Sequence, residues 1–262
     1  MATTALPARR STLRRDIWWI EPALLFTLFT VFVVYSFFAG IANADYYADP
    51  YLSPFYSPCL TANCTHLTFG VPIIGDWWTF APAIWVVGFP LAFRLTCYYY
   101  REAYYRAFFW SPAACTVPDA RATYGGETRF PFVLQNMHRY TWYVAVVFVA
   151  ILSYDAILAF RFPTATGHAF GIGLGSVIMT VNVLLIALYT FSCHACRYLL
   201  GGRHDRLHGR PLAYRLWSVI SALNIKHGTY ALASLASVGL ADLYIRLLAM
   251  GVISDPRIVF GG

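Results

Sequence analysis

The chain has 262 residues, of which 59% are hydrophobic, 18% aromatic and only 12% charged, with a mean hydropathy of +0.55. That is more apolar surface than one soluble core buries, which excludes an ordinary water-soluble domain and points to an integral membrane protein. The formal net charge of +7 does not signal a nucleic-acid partner, because the basic residues stand where membrane topology requires them.

In chain order, five apolar segments are long enough for the roughly 20 helical residues that cross a hydrocarbon core. They lie at about 17–41, 77–100, 138–160, 171–200 and 217–250. The first is too long for a cleavable signal peptide and is read as a span. After it comes an outer loop with Cys59 and Cys64 in "PCLTANCTH", where an oxidising exterior predicts a disulfide. Pro82 and Pro90 predict a kink in the second segment. Arg9, Arg10, Arg14 and Arg15 precede the first span. Arg101, Arg106, Arg121, Arg129 and Arg139 separate the second from the third, and Arg197, Arg203, Arg206, Arg210 and Arg215 separate the fourth from the fifth. Basic residues stay cytoplasmic, so the amino terminus is inside. The predicted fold is an all-α integral membrane protein, a single domain over 1–262 with five transmembrane helices in a bundle.

The same topology sorts the thiols and imidazoles. Cys97 ends the second span, Cys115 lies in the inner loop "FFWSPAACTVPDA", and Cys193 and Cys196 end the fourth span. His138 opens the third span and His227, in "LNIKHGTY", lies in the fifth. Thus four helices bring a Cys or a His to one inner depth. Thiols in a reducing compartment point to a metal or redox centre more than to a disulfide. Four thiolates suit zinc or an ordinary cluster, whereas two thiolates with two imidazoles suit tetrahedral zinc or a Rieske-type 2Fe-2S cluster. On a continuous helix Cys193 and Cys196 share a face, while His194, rotated by about 100°, points away. Asp155 and Asp242 lie toward the outer half and are expected to pair with Arg161 and Arg246.

The inner-side stretches "RLTCYYYREAYYRAFFWSPAAC", "ETRFPFVLQNMHRYTWY", "YTFSCHACR" and "LNIKHGTY" resemble the membrane-anchor subunit of actinobacterial succinate dehydrogenases of the mycobacterial kind, type F complex II. The likeness runs from the second span onward. It implies a multi-pass subunit of the bacterial plasma membrane with five helices and no haem, carrying a Rieske-type 2Fe-2S cluster beside a quinone site. Flavoprotein and iron–sulfur subunits would sit on its cytoplasmic face, and the whole is compatible with a higher oligomer. By position, the resemblance makes His138 and His227 the imidazole ligands and draws the thiolate pair from Cys97, Cys115, Cys193 and Cys196. Relatives often carry a second His after the "CHxCR" motif; here Tyr198 stands instead, so no ligand is expected there.

On this reading succinate is oxidised in the partner subunits, since the chain has no glycine fingerprint for a flavin. Tyr98, Tyr99, Arg139, Tyr140, Trp217 and Lys226 lie near the inner depth and are the quinone candidates, whether the quinone is menaquinone or ubiquinone. Two other readings stand beside it. In one, His138 and His227 are axial ligands of haem b; in the other, the chain is a passive anchor without a redox centre.

Overall fold

The computed structural model describes residues 16–60, 73, 81–110, 117, 128–130, 132–165 and 167–260. Most of them are helical: α1 (Ile20–Ala42), α2 (Ala83–Thr96), α3 (Tyr98–Tyr104), α4 (His138–Leu158), α5 (Leu174–Phe191), α6 (His194–Arg197), α7 (Pro211–Asn224) and α8 (His227–Ala249). The described strands are a short antiparallel pair, β1 (Tyr47–Ala48) with β2 (Tyr51–Leu52), and an antiparallel sheet of β3 (Arg161–Thr164), β4 (Gly167–Gly173) and β5 (Arg257–Val259).

Among the described residues, α1, α5, α8 and the helical stretch Val133–Leu158 containing α4 are each long and apolar enough to cross a membrane. Helix α2 is apolar but has 14 residues, about 21 Å at 1.5 Å per residue. In lipid every backbone group must find an internal partner, so apolar runs become helices. Side chains such as Val33, Phe37, Ile157 and Leu184 remain on the outside of the bundle, where lipid rather than water suits them. Helix α5 packs on α8 and α4, α4 on α2, and α1 on α2 and α8.

Three expected spans differ from what forms. The start of the second lies outside the described residues; Pro82 precedes the first turn of α2, Pro90 lies within it, and the helix stops at Thr96 because Cys97 is extended (φ −68°, ψ 131°). The fourth begins only at Leu174, since residues 171–173 belong to β4, and it stops at Phe191. Cys193 is extended (φ −68°, ψ 149°), α6 restarts after it, and a π-helical turn follows over Tyr198–Gly202. Cys193 and Cys196 therefore do not share one continuous helical face. The fifth is two helices, α7 and α8, parted at Ile225 and Lys226.

The end of the bundle away from these breaks is held by buried charge. Asp242 on α8 accepts hydrogen bonds from Tyr35 on α1, from Ser53 after β2, and from Arg246 Nε at 2.8 Å. Arg246 also donates to the carbonyls of Ala39 at 2.6 Å and Ala44 at 2.7 Å, satisfying acceptors that the end of α1 leaves open. The expected Asp242–Arg246 pair is thus present. Asp155 is buried and accepts from Ser57. Asp255 accepts from Tyr51 and Tyr244, both at 2.6 Å, and from the Gly175 amide at 3.0 Å near the start of α5. Cys59 is disulfide-bonded, and Cys64 lies outside the described residues.

Removing one partner of a buried pair strands the other charge, at a cost of about 3–5 kcal/mol. Asp242→Ala should therefore lower the thermal midpoint of the detergent-purified protein far more than Glu21→Ala, which breaks an exposed contact to Arg106.

Candidate metal centre

The two helix breaks and the starts of α4 and α8 meet at the other end of the bundle. One cavity of about 220 Å3 there is lined by Cys97, His138, Cys193 and His227, with Tyr98, Tyr99, Glu102, His194, Asn224 and Gly228 completing its wall. Cys97, Cys193 and His227 are almost fully buried and His138 is half-buried.

The four side chains are arranged in a crossed way. His138 faces Cys193 Sγ with Nε2 at 3.0 Å, and its Nδ1 lies 3.0 Å from Thr96 Oγ1. His227 faces Cys97 Sγ with Nε2 at 3.5 Å, and its Nδ1 lies 2.8 Å from Ser192 Oγ. Each imidazole takes the hydroxyl next to one cysteine and points at the sulfur of the other. Thr96 donates its hydroxyl proton to the Ala92 carbonyl at 2.8 Å, and Ser192 donates to the Tyr189 carbonyl at 3.2 Å. With that proton committed, each hydroxyl accepts from Nδ1–H, which fixes the tautomer and leaves the Nε2 lone pair toward the sulfur.

The symmetry extends outward. The Phe93 ring stacks on His138 with centroids 4.9 Å apart, and the Tyr189 ring stacks on His227 at 5.1 Å. Gln135 donates to the Leu95 carbonyl at 3.0 Å and Asn224 to the Ser192 carbonyl at 2.6 Å, so each break has an amide satisfying a freed acceptor. All of this is a repeat in the sequence. "FRLTCYYYR" (93–101) and "YTFSCHACR" (189–197) both read aromatic-x-x-hydroxyl-Cys-x-x-x-Arg, while "QNMH" (135–138) and "NIKH" (224–227) both read amide-x-x-His. Composition and hydropathy do not expose this repeat; alignment of the chain with itself would.

The other expected residues divide. Cys196 is buried in the apolar core among residues such as Ala195 and Ile220 and does not line the cavity. Cys115 lies outside the described residues. His194, expected to point away, lines the cavity with an exposed side chain. Tyr98 lines the cavity under the Arg101 guanidinium, 4.4 Å from its ring centroid. Arg139 and Tyr140 line an adjoining groove of about 470 Å3 with His138, His194, Asn136 and Tyr198. Trp217 and Lys226 line neither: Trp217 packs under Arg197 and against Gly201, and Lys226 is exposed ahead of α8. Tyr99, expected near the inner depth, lines the cavity, while Glu102 and Asn224 are cavity residues that position along the sequence did not single out. A Cβ on Gly228 would meet the Tyr99 ring at 2.5 Å, so only glycine admits that ring to the cavity.

Among the described residues no three His, Cys, Asp or Glu side chains converge as a single ion requires; the four donors form two thiol–imidazole pairs on one cavity wall. Soft thiols, imidazoles with free Nε2 and second partners on each Nδ1 make a donor set that fits a small metal cluster.

The fold and this pocket define a class: a helical membrane protein that brings two thiols and two imidazoles together where its helices are interrupted. Residues 20–251 match the family described as actinobacterial succinate dehydrogenase subunit SdhC, and the chain belongs to it. It is a membrane-anchor subunit of a succinate dehydrogenase. A chain of the solved Mycobacterium smegmatis Sdh1 complex in the apo form is similar at 44% identity, covering 98% of this chain and 96% of that one, with a TM-score of 0.86. No curated protein matches.

Thr96→Val and Ser192→Ala each strand an imidazole Nδ1–H, which costs about 1–3 kcal/mol when buried. The two variants should lower the thermal midpoint by similar amounts, as the crossed symmetry requires.

Proposed function

We propose that this subunit holds a 2Fe-2S cluster of the Rieske type on Cys97, Cys193, His138 and His227 and connects an iron–sulfur partner subunit to quinone. The observation that carries the reading is the crossed set itself: two buried thiols and two imidazoles whose Nε2 atoms face sulfur. Bound there, an imidazole-ligated cluster supplies one-electron transfer at a potential above that of a thiolate-only cluster.

This chain's own residues prepare the site. Thr96 and Ser192 hold the imidazoles in the ligating tautomer, Phe93 and Tyr189 fix their planes, and Gln135 and Asn224 keep the interrupted backbones satisfied. Two pairs spread along a cavity suit a binuclear group better than one zinc ion. A haem reading asks two Nε2 atoms to face each other across a porphyrin; here each faces a sulfur instead. Four long spans with α2 as the fifth give the bundle, and the basic loops make the cluster end cytoplasmic, where the flavoprotein and iron–sulfur subunits dock. The groove beside His138 offers Arg139 and Tyr140 as hydrogen-bond donors to a quinone carbonyl. Quinone reduction also consumes two protons, which that solvent-facing end can supply.

Low-temperature EPR of the dithionite-reduced complex should show a Rieske-like signal beyond those of the partner's clusters. Cys97→Ser, Cys193→Ser, His138→Ala and His227→Ala should each abolish it, and Cys196→Ser should keep it. A sharp reduced-haem absorption band would overturn the reading. Arg139→Ala should raise the KM for quinone about tenfold or more, the worth of one charge-assisted hydrogen bond, with the EPR signal intact.

A further inference from the structure

The two ligand-bearing segments differ by one charge. Arg94 stands where the second copy has Thr190. Its guanidinium lies 4.9 Å from the centroid of the Tyr189 ring, the ring that stacks on His227, and 5.5 Å from that of Tyr100. Its hydrogen bonds go to neutral groups: the Tyr100 hydroxyl, the Ala231 carbonyl at 3.2 Å and Ser234 Oγ at 3.1 Å. Among the described residues no carboxylate pairs with it. Its own carbonyl accepts from the Cys97 amide at 3.1 Å, so the helix turn that carries the charge also carries the thiol.

A guanidinium keeps its charge at any physiological pH. An uncompensated cation near membrane depth is costly, and it marks function by default. One side of Arg94 borders a mainly apolar cavity of about 100 Å3 walled by Val86, Pro90, Phe148 and Ile186. Little solvent screens it there, and Coulomb interactions are several-fold stronger than in water.

On the reading that the crossed set holds a 2Fe-2S cluster, we propose that Arg94 is a positioning charge that raises the reduction potential of that centre. Two thiolates, two neutral imidazoles, two ferric ions and two sulfides sum to zero. One electron from an iron–sulfur donor, taken up without a proton, makes the sum minus one. Arg94 keeps its single positive charge throughout, so it stabilises the reduced form and leaves the oxidised form little affected. The two copies are chemically alike in ligands, hydroxyls and stacking rings, and Arg94 is the fixed charge by which they differ.

The test is an EPR-monitored redox titration of the purified complex in detergent. Arg94→Thr, which makes the two segments alike at that position, should lower the midpoint potential with the signal amplitude unchanged, and Arg94→Lys should restore most of the loss. Wild-type amplitude with an unshifted midpoint in Arg94→Thr overturns the proposal. Should that variant lose its cluster, Arg94→Gln removes the charge and keeps a long side chain that can donate to the Ala231 carbonyl and Ser234. A lowered midpoint supports the role, and an unchanged one overturns it. A wild-type complex with no signal beyond the partner's clusters overturns the cluster reading itself, which separates the two failures.

Discussion

Everything at the functional end follows from two helices that stop inside an apolar bundle. A helix that ends leaves carbonyls without partners, and where no water reaches them each costs several kcal/mol. The extended residues at these stops are Cys97 and Cys193, in nearly the same conformation. Extended backbone there turns the thiols out of the helical run and into the cavity. The freed acceptors are met by side chains from other helices, Gln135 to Leu95 and Asn224 to Ser192. Those amides lie three residues before His138 and His227. The groups that make the breaks tolerable thus also place the imidazoles.

The crossed pairing ties two helix pairs together. In the first, α2 and α4, Thr96 holds His138; in the second, α5 and α8, Ser192 holds His227. Each imidazole then reaches into the other pair for its sulfur. A site divided this way exists only when both pairs are docked, so assembly of the bundle and completion of the donor set are one event. The opposite end works differently. There Asp242 and Arg246 bind α8 to the end of α1 and to the segment after β2 through bonds that are all satisfied. One end is closed by these bonds, and the other carries polar side chains around a cavity.

Much of this was legible in the sequence. The apolar runs are strong signals, and the matched depth of Cys97, His138, Cys193 and His227 follows from charge and hydropathy alone. The breaks were not legible, because one extended residue barely alters a window of hydropathy and its stability comes from hydrogen bonds across helices. For the same reason Cys193 and Cys196 read as one helical face. The split between α7 and α8 was hidden similarly: Ile225 and Lys226 are no stronger as helix breakers than their neighbours. That Cys193 lines the cavity and Cys196 does not became visible only once the helix was seen to end at Phe191.

The repeat explains why the site is nearly symmetric, and symmetry alone sets no preference between its halves. Helices α4 and α8 both present their amino-terminal, partially positive ends at the cavity, and such ends favour added negative charge. That contribution is shared by both halves and falls off within a turn. A full charge on one side is different in kind, since it acts through a mainly apolar region and has no counterpart in the other copy. On the proposed reading, a guanidinium that meets no carboxylate among the described residues has a use at that depth: it favours the negative charge that an arriving electron brings.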